Sequence, residues 1–325
     1  GFHHINIQED KKMAITAAQV KELRDITGAG MMACKKALAA TEGDMDKAVE
    51  FLREQGLAGA EKKAGRIAAE GVSFAKVSED MHTGVVVEVN AETDFVAKNA
   101  KFQAYVDQVC DQALTTSATD IDAFLAEKWN LDETRTVAEQ LSEEISIIGE
   151  NMHIRRFHKL VENEGLVSAY IHAGGRIGVI LQVKSDVVND AVAEMAKNIA
   201  MQIAALNPKY TTRAEVDQEY LAHETAILTE AAKNEKPNAP EKVLNGMVQG
   251  RLNKELKEIC LVDQTYVRAE DGKQTVQQYV DSVAKAQGAK ISLVTFVRYE
   301  TGEGLEKKSE DFAAEVAAQQ AAAKK

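Results

Sequence analysis

The segment "HAGGRIG", His172 to Gly178, is the nearest this chain comes to a nucleotide-binding loop. A phosphate cradle of the common kinds needs GxxxxGK[ST] or GxGxxG spacing, so that backbone amides and a lysine converge on the anion. Neither spacing is present, the lysine is missing, and the segment falls where the turn of a β-hairpin is expected. His153 and His158, in "NMHIRRFHKL", lie five apart, which sets them on different faces of a helix and away from joint metal ligation. The three cysteines, Cys34, Cys110 and Cys260, form no CxxC or CxxH pair and are odd in number. They speak against a structural zinc site or disulfide framework and fit a reducing cytoplasm. No catalytic residue, cofactor or metal site is therefore expected, and the chain reads as a non-enzyme.

Charge narrows the partners. The 325 residues carry a formal net charge of −12. Affinity for nucleic acid is built on neutralising phosphates with Lys and Arg, so an acidic chain is a poor candidate for it. Lys62, Lys63 and Arg66, with Arg155 and Arg156, are small basic clusters read as solvated faces. No apolar run approaches the ~20 residues of a membrane span. Protein partners remain.

Two groups of residues suggest a protein contact. Phe95 follows Thr93-Asp94, a helix-capping pair at the end of the apolar alternation Val85, Val87, Val89. Its ring could pack on the preceding strand or stand proud. Met31-Met32 follow the Gly28-Ala29-Gly30 turn. They could belong to a helical core, but adjacent helix residues cannot both point inward, which leaves an adaptable apolar patch as the second reading.

The elements that would hold these residues fall into an α+β plan. "TAAQVKELRDITG" opens with a capping box, Thr16 with Gln19, and carries the stripe Val20, Leu23, Ile26. "GMMACKKALAAT" and "GDMDKAVEFLREQG" complete a three-helix module, the last capped by Asp44 and ending at Gly56. "LAGAEKKAGRIAAEG" reads as a tether.

The centre is duplicated. "GVSFAKVSEDMHTGVVVEVN" (71–90) and "GLVSAYIHAGGRIGVILQVK" (165–184) share one hairpin pattern. The glycines opening their second strands, Gly84 and Gly178, stand 94 apart (178 − 84), as do Gly71 and Gly165. A helix follows each: "FVAKNAKFQAYVDQVCDQAL" and "VNDAVAEMAKNIAMQIAAL". Two copies are too few for a solenoid and indicate a duplicated α+β subdomain. Beyond them, Val216, Tyr220, Ile227 and Ala231 face Val243, Met247, Leu252 and Leu256 across Pro237 and Pro240. That pattern predicts an antiparallel helical hairpin reaching roughly 30 Å at 1.5 Å per residue. The chain returns through a helix near "TVQQYVDSVA", the strand "KISLVTFVRY" and a C-terminal Ala-rich helix.

"TDFVAKN" (93–99) resembles the signature of the elongation factor Ts family, the guanine-nucleotide exchange factors for elongation factor Tu. "GAGMMACKKAL" (28–38), "IGENMHIRR" (148–156), "RIGV" (176–179) and "GEGLEKKSEDFAAEV" (302–316) resemble further signatures in the same order. The likeness runs from Met13 to the C-terminus.

The resemblance implies an assignment for each part. Residues 1–12 are an extension, 13–56 a ubiquitin-associated-like domain and 57–70 a linker. Residues 71–163 form core subdomain N, 164–212 with 260–300 core subdomain C, 213–259 a coiled-coil dimerisation hairpin of the bacterial type, and 301–325 a C-terminal module. It implies elongation factor Tu as partner, with Asp94 and Phe95 wedged beside the partner's magnesium site, flanked by Thr93 and Val96. Arg24, Met31 and Met32, Ile148-Gly149, His172 and Tyr266-Val267 are the other implied contacts. Arg268 departs from the methionine of some relatives. Two other classes stay open on the residues alone: a dimeric scaffold with a peptide-binding helical module, and an enzyme acting through "HAGGRIG".

Overall fold

The computed structural model describes residues 14–308 and 320–321. The expected N-terminal extension and most of the expected C-terminal helix lie outside the described residues. No helix among those described is long and apolar enough to cross a membrane.

Both halves of the duplicated centre form three-stranded antiparallel sheets. The first is β1 (Glu70–Val77), β2 (Thr83–Ala91) and β5 (His153–Val161), with β2 in the middle. The second is β6 (Gly165–His172), β7 (Ile177–Ser185) and β8 (Ile291–Glu300), with β7 in the middle. The duplication extends to details. The outer strand paired with each central strand bulges at the same place, Arg155 opposite Glu88–Val89 and Val294 opposite Gln182–Val183. The sheets face each other across Ala75, Val86, Leu160, Val167, Ile180 and Tyr299.

Reciprocal hydrogen bonds join the halves: Ser73 N–H donates to the Gly175 carbonyl at 2.7 Å, and Val167 N–H to the Met81 carbonyl at 2.8 Å. Ser73 matches Val167 and Met81 matches Gly175 in the 94-residue offset (167 − 73 and 175 − 81), so the two bonds are related by a pseudo-twofold axis. The paired glycines explain the close approach. A Cβ on Gly84 would lie 2.3 Å from Val167 Cγ1, and one on Gly178 would lie 2.8 Å from the Ser73 carbonyl oxygen.

A helical layer covers the outer face of each sheet: α5 (Ala100–Thr115) on the first and α8 (Asp190–Leu206) with α11 (Val276–Gln287) on the second. The helix expected straight after the first hairpin is broken. A single turn, α4 (Asp94–Ala97), ends at Lys98, and Asn99 then caps α5 by accepting from Lys101 and Phe102 N–H.

Four further expectations are corrected. Helix α3 (Met45–Lys63) does not stop at Gly56 but continues seven residues into the expected linker. Gly56 is buried against the backbone of Ser142 and Glu143 on α7 (Val137–Ile148), so the missing side chain there permits helix contact rather than ending the helix. Arg53 on α3 adds hydrogen bonds to Asp132 and Thr134, anchoring the module of α1 (Ala17–Thr27), α2 (Met31–Ala40) and α3 to the core.

The segment holding His153 and His158 is strand, not helix; with Arg155 bulged between them, the two histidines pair with Asn90 and Val86 on one face of the sheet, still separated along the strand. Arg155 and Arg156 are not solvated but pair with Glu88, which is fully buried in β2. In the helical hairpin, α9 (Gln218–Glu235) and α10 (Glu241–Ile259) meet through Leu221, Leu228, Val248, Leu252 and Leu256, whereas Ile227 and Val243 stay exposed. Between α5 and α7 the chain also forms α6 (Ile121–Ala126) and the ribbon β3 (Lys128–Trp129) and β4 (Asp132–Thr136), whose Trp129 completes the first core.

Candidate partner-binding site

The corner after β2 is built to hold a ring in the open. Thr93 caps α4, its side chain accepting from Val96 N–H. Val96 and Ala97 pack on the first core and orient the turn. Asp94 and Phe95 occupy its outer side, and Phe95 is 83% exposed. Burying a phenylalanine is worth ~1.5–3 kcal/mol, which this fold forgoes.

The loop after α7 clamps the corner. Gly149 ends α7 in the left-handed conformation, with φ 86°. Ile148 packs on the first core, and Glu150, just after Gly149, reaches back to the corner. Its carboxylate accepts from Glu92 N–H and Thr93 N–H, each at 3.0 Å, and from the Thr93 hydroxyl at 2.7 Å. Glu92 returns the contact by accepting from Asn151 N–H at 3.0 Å. Glu92 also faces Arg66, at 3.6 Å, and Lys308, at 3.9 Å. Sequence reasoning missed Glu92 and Glu150, since both read as ordinary loop acids; the only signal was that Glu150 lies inside "IGENMHIRR".

The second half brings its hairpin turn to the same place. A cleft of about 190 Å³ is lined by Gly71, Asp94, Lys98, Gly174, Arg176 and Lys307, among others. Ala173, Gly174 and Gly175 all have positive φ, and a Cβ on Gly175 would collide with Val72 and Phe74. Glycine is required there because the turn lies directly on the first sheet. Gly175 and Arg176 N–H both donate to the His172 carbonyl, so these amides are not free to cradle a phosphate. His172 itself is exposed, with Nδ1 2.9 Å from the Tyr170 hydroxyl.

Val267, 51% exposed, is held by its N–H to the buried Gln202 Oε1 at 2.8 Å. Beside it Tyr266 stacks on Tyr279 at 4.2 Å, and burial pushes the Tyr266 hydroxyl pKa up. Arg268 donates to Asn198 at 2.8 Å. The neighbouring Lys197 donates to the Ala169 carbonyl and lies over the Tyr170 ring, so consecutive residues of α8 link the Val267 loop to the His172 strand.

Arg24, Met31 and Met32 belong to a separate unit. α1 and α2 pack on each other and on α3, which reaches the core through α7. Met31 is 51% and Met32 76% exposed, so neither serves the module's core. Ile26, expected within the buried stripe, is exposed as well. The inward residues are Val20, Leu23, Cys34, Ala37, Leu38 and Ala48. Thus Thr93, Asp94, Phe95, Val96, Gly149 and the His172 turn converge around one corner, Val267 is joined to it through α8, and the methionine patch stands apart.

Comparison with known proteins gives this arrangement a family. The family model described as "Elongation factor TS" matches residues 92–303. A protein named Elongation factor Ts from Clostridioides difficile (strain 630) is 50% identical over 305 residues, covering 94% of this chain and 98% of that protein. One from Clostridium perfringens (strain SM101 / Type A) is 50% identical over 303 residues, covering 93% and 98%. One from Clostridium novyi (strain NT) is 49% identical over 302 residues, covering 93% and 97%. The chain belongs to the elongation factor Ts family.

Proposed function

We propose that this translation factor binds elongation factor Tu in its GDP-bound form and promotes GDP release, so that GTP can load. It forms and breaks no covalent bond and acts in the cytoplasm. The observation that carries this reading is Phe95, an exposed ring on a turn fixed from both sides.

GDP is held largely through its phosphates, by magnesium and backbone amides of the nucleotide site. Phe95, inserted between helices of the partner, would repack an interface near that metal, and the Asp94 carboxylate would compete for its coordination. One ring supplies roughly ten- to a hundredfold in affinity at most, so the work is shared. His172, Ile148-Gly149 and Val267 serve as further contacts. Arg24, Met31 and Met32 form the patch by which the ubiquitin-associated-like module grips the partner.

Binding energetics test this. By linkage, a factor that weakens GDP must bind nucleotide-free partner tighter than GDP-bound partner by the same ratio. Titration calorimetry against both forms should give Kd values differing by about a hundredfold or more, which requires ~2.7 kcal/mol of coupling. Equal Kd values would remove the basis for exchange.

The projecting α9–α10 hairpin is the proposed dimer contact, giving a 2:2 assembly with the partner. Ile227 and Val243, 49% and 46% exposed, are the apolar residues it leaves uncovered. Deletion of Glu215 to Glu258 should yield a monomer by sedimentation velocity; an unchanged profile would assign the dimer elsewhere or nowhere.

A further inference from the structure

The exposed ring poses a mechanical problem. A four-residue turn is far below the length at which a helix holds itself together, because its nucleation cost is never recovered. Phe95 contributes nothing to fixing α4, since its ring is in solvent. Val96 and Ala97 fix one side of the turn by packing. Its entry point, where the chain leaves β2, must be fixed by something else.

Glu92 and Glu150 are the residues so placed. Glu150 accepts three hydrogen bonds, from two consecutive backbone amides and from the capping hydroxyl. The hydroxyl bond has a second effect. The Thr93 proton points at Glu150, which turns an oxygen lone pair towards Val96 N–H and sets the rotamer that caps the turn. Glu92 accepts from Asn151 N–H, so each acid holds the loop that carries the other. Hydrogen bonds to a charged acceptor are worth about twice their neutral counterparts. Glu92 also joins the corner electrostatically to Arg66, after the helical module, and to Lys308, after β8.

We propose that the Glu92–Glu150 clasp is the positioning device of the exchange site: it holds the Asp94–Phe95 turn in its working conformation before the partner arrives. Neither carboxylate needs to touch the partner. This rests on the exchange-factor reading above and adds the residues that make its wedge rigid. A limp wedge can still be carried to the partner by the His172, Val267 and methionine contacts. Loss of the clasp therefore lowers the maximal rate of release more than it raises the concentration for half-saturation.

The test is GDP release from elongation factor Tu over a range of factor concentrations, with wild type, Glu150→Ala and Glu150→Gln. Amide exchange at Thr93 and Val96 is followed in the free factor. With Glu150→Ala the maximal release rate should fall roughly tenfold or more, the loss of charged hydrogen bonds at one corner. Half-saturation should move by less than about threefold, and exchange at the two amides should speed up while core amides stay protected. Glu150→Gln, which keeps an acceptor oxygen, should recover part of the rate. Should Glu150→Ala fail to fold, the Gln variant and its two amides carry the test alone, with an intermediate loss expected. Wild-type rate and wild-type amide protection in either variant would overturn the clasp. So would a loss confined to half-saturation, which would make Glu150 a direct contact. Absence of acceleration by wild type would instead remove the exchange reading itself, and faster exchange at Thr93 and Val96 would still report whether the clasp holds the turn.

Discussion

Replacing Phe95 with alanine is expected to slow factor-stimulated GDP release by roughly ten- to a hundredfold, the value of one buried phenylalanine. The factor's own stability should not change. The ring is 83% exposed and belongs to none of the clusters that form the core. Truncating an exposed residue falls within about 0.5 kcal/mol of neutral. That separation of effects makes the variant informative: a core phenylalanine such as Phe102, fully buried, would cost ~3–5 kcal/mol on the same change. Matched thermal unfolding curves with a depressed release rate are the predicted pair of results. Loss of thermal stability with an unaltered rate would return the ring to a structural role.

Glu88→Ala should lower stability. Glu88 is fully buried, yet it binds Arg156 Nε at 2.6 Å and Arg155 Nη1 at 3.1 Å. It also accepts from Asn90 Nδ2 at 2.9 Å and Gly302 N–H at 2.7 Å. Arg156 lies 4.0 Å over the Tyr299 ring, whose hydroxyl burial pushes up to about 12. Removing one partner of a buried ion pair leaves the others without compensation and costs ~3–5 kcal/mol. The guanidinium side chains are 23% and 26% exposed and can partly rehydrate, which favours the lower end of that range. Denaturant unfolding should show a midpoint shift at unchanged slope; a loss below about 1 kcal/mol would contradict a stabilising role for the Glu88 cluster. The segment after Gly302 carries Lys307 into the cleft beside Asp94, so exchange should weaken as well.

What could be read from the sequence was mostly local. Capping at Thr16, Asp44 and Thr93 was legible because cap chemistry is written within three residues. Both hairpins and their 94-residue offset were legible because strand alternation and turn glycines repeat in register. What escaped depends on partners distant in the chain. Glu150 acts on residues 57 and 58 positions away, and Glu88 reaches Gly302 across 214. A carboxylate in a strand or loop carries no local mark of such a task. Gly56 misled for the same reason, since a glycine that ends a helix and one that admits a neighbouring helix look alike until α7 is in place. The motifs "IGENMHIRR" and "GEGLEKK" now have physical content. Glu150 holds the corner, while Arg155, Arg156 and Gly302 satisfy one buried carboxylate.

The most direct measurement is stopped-flow release of fluorescent GDP from elongation factor Tu, with and without this factor, under excess unlabelled nucleotide. The release rate should climb with factor concentration, saturate, and exceed the spontaneous rate by more than the hundredfold that one aromatic ring could supply. A rate that stays at the spontaneous value, with the factor folded and bound to the partner, would contradict the exchange function.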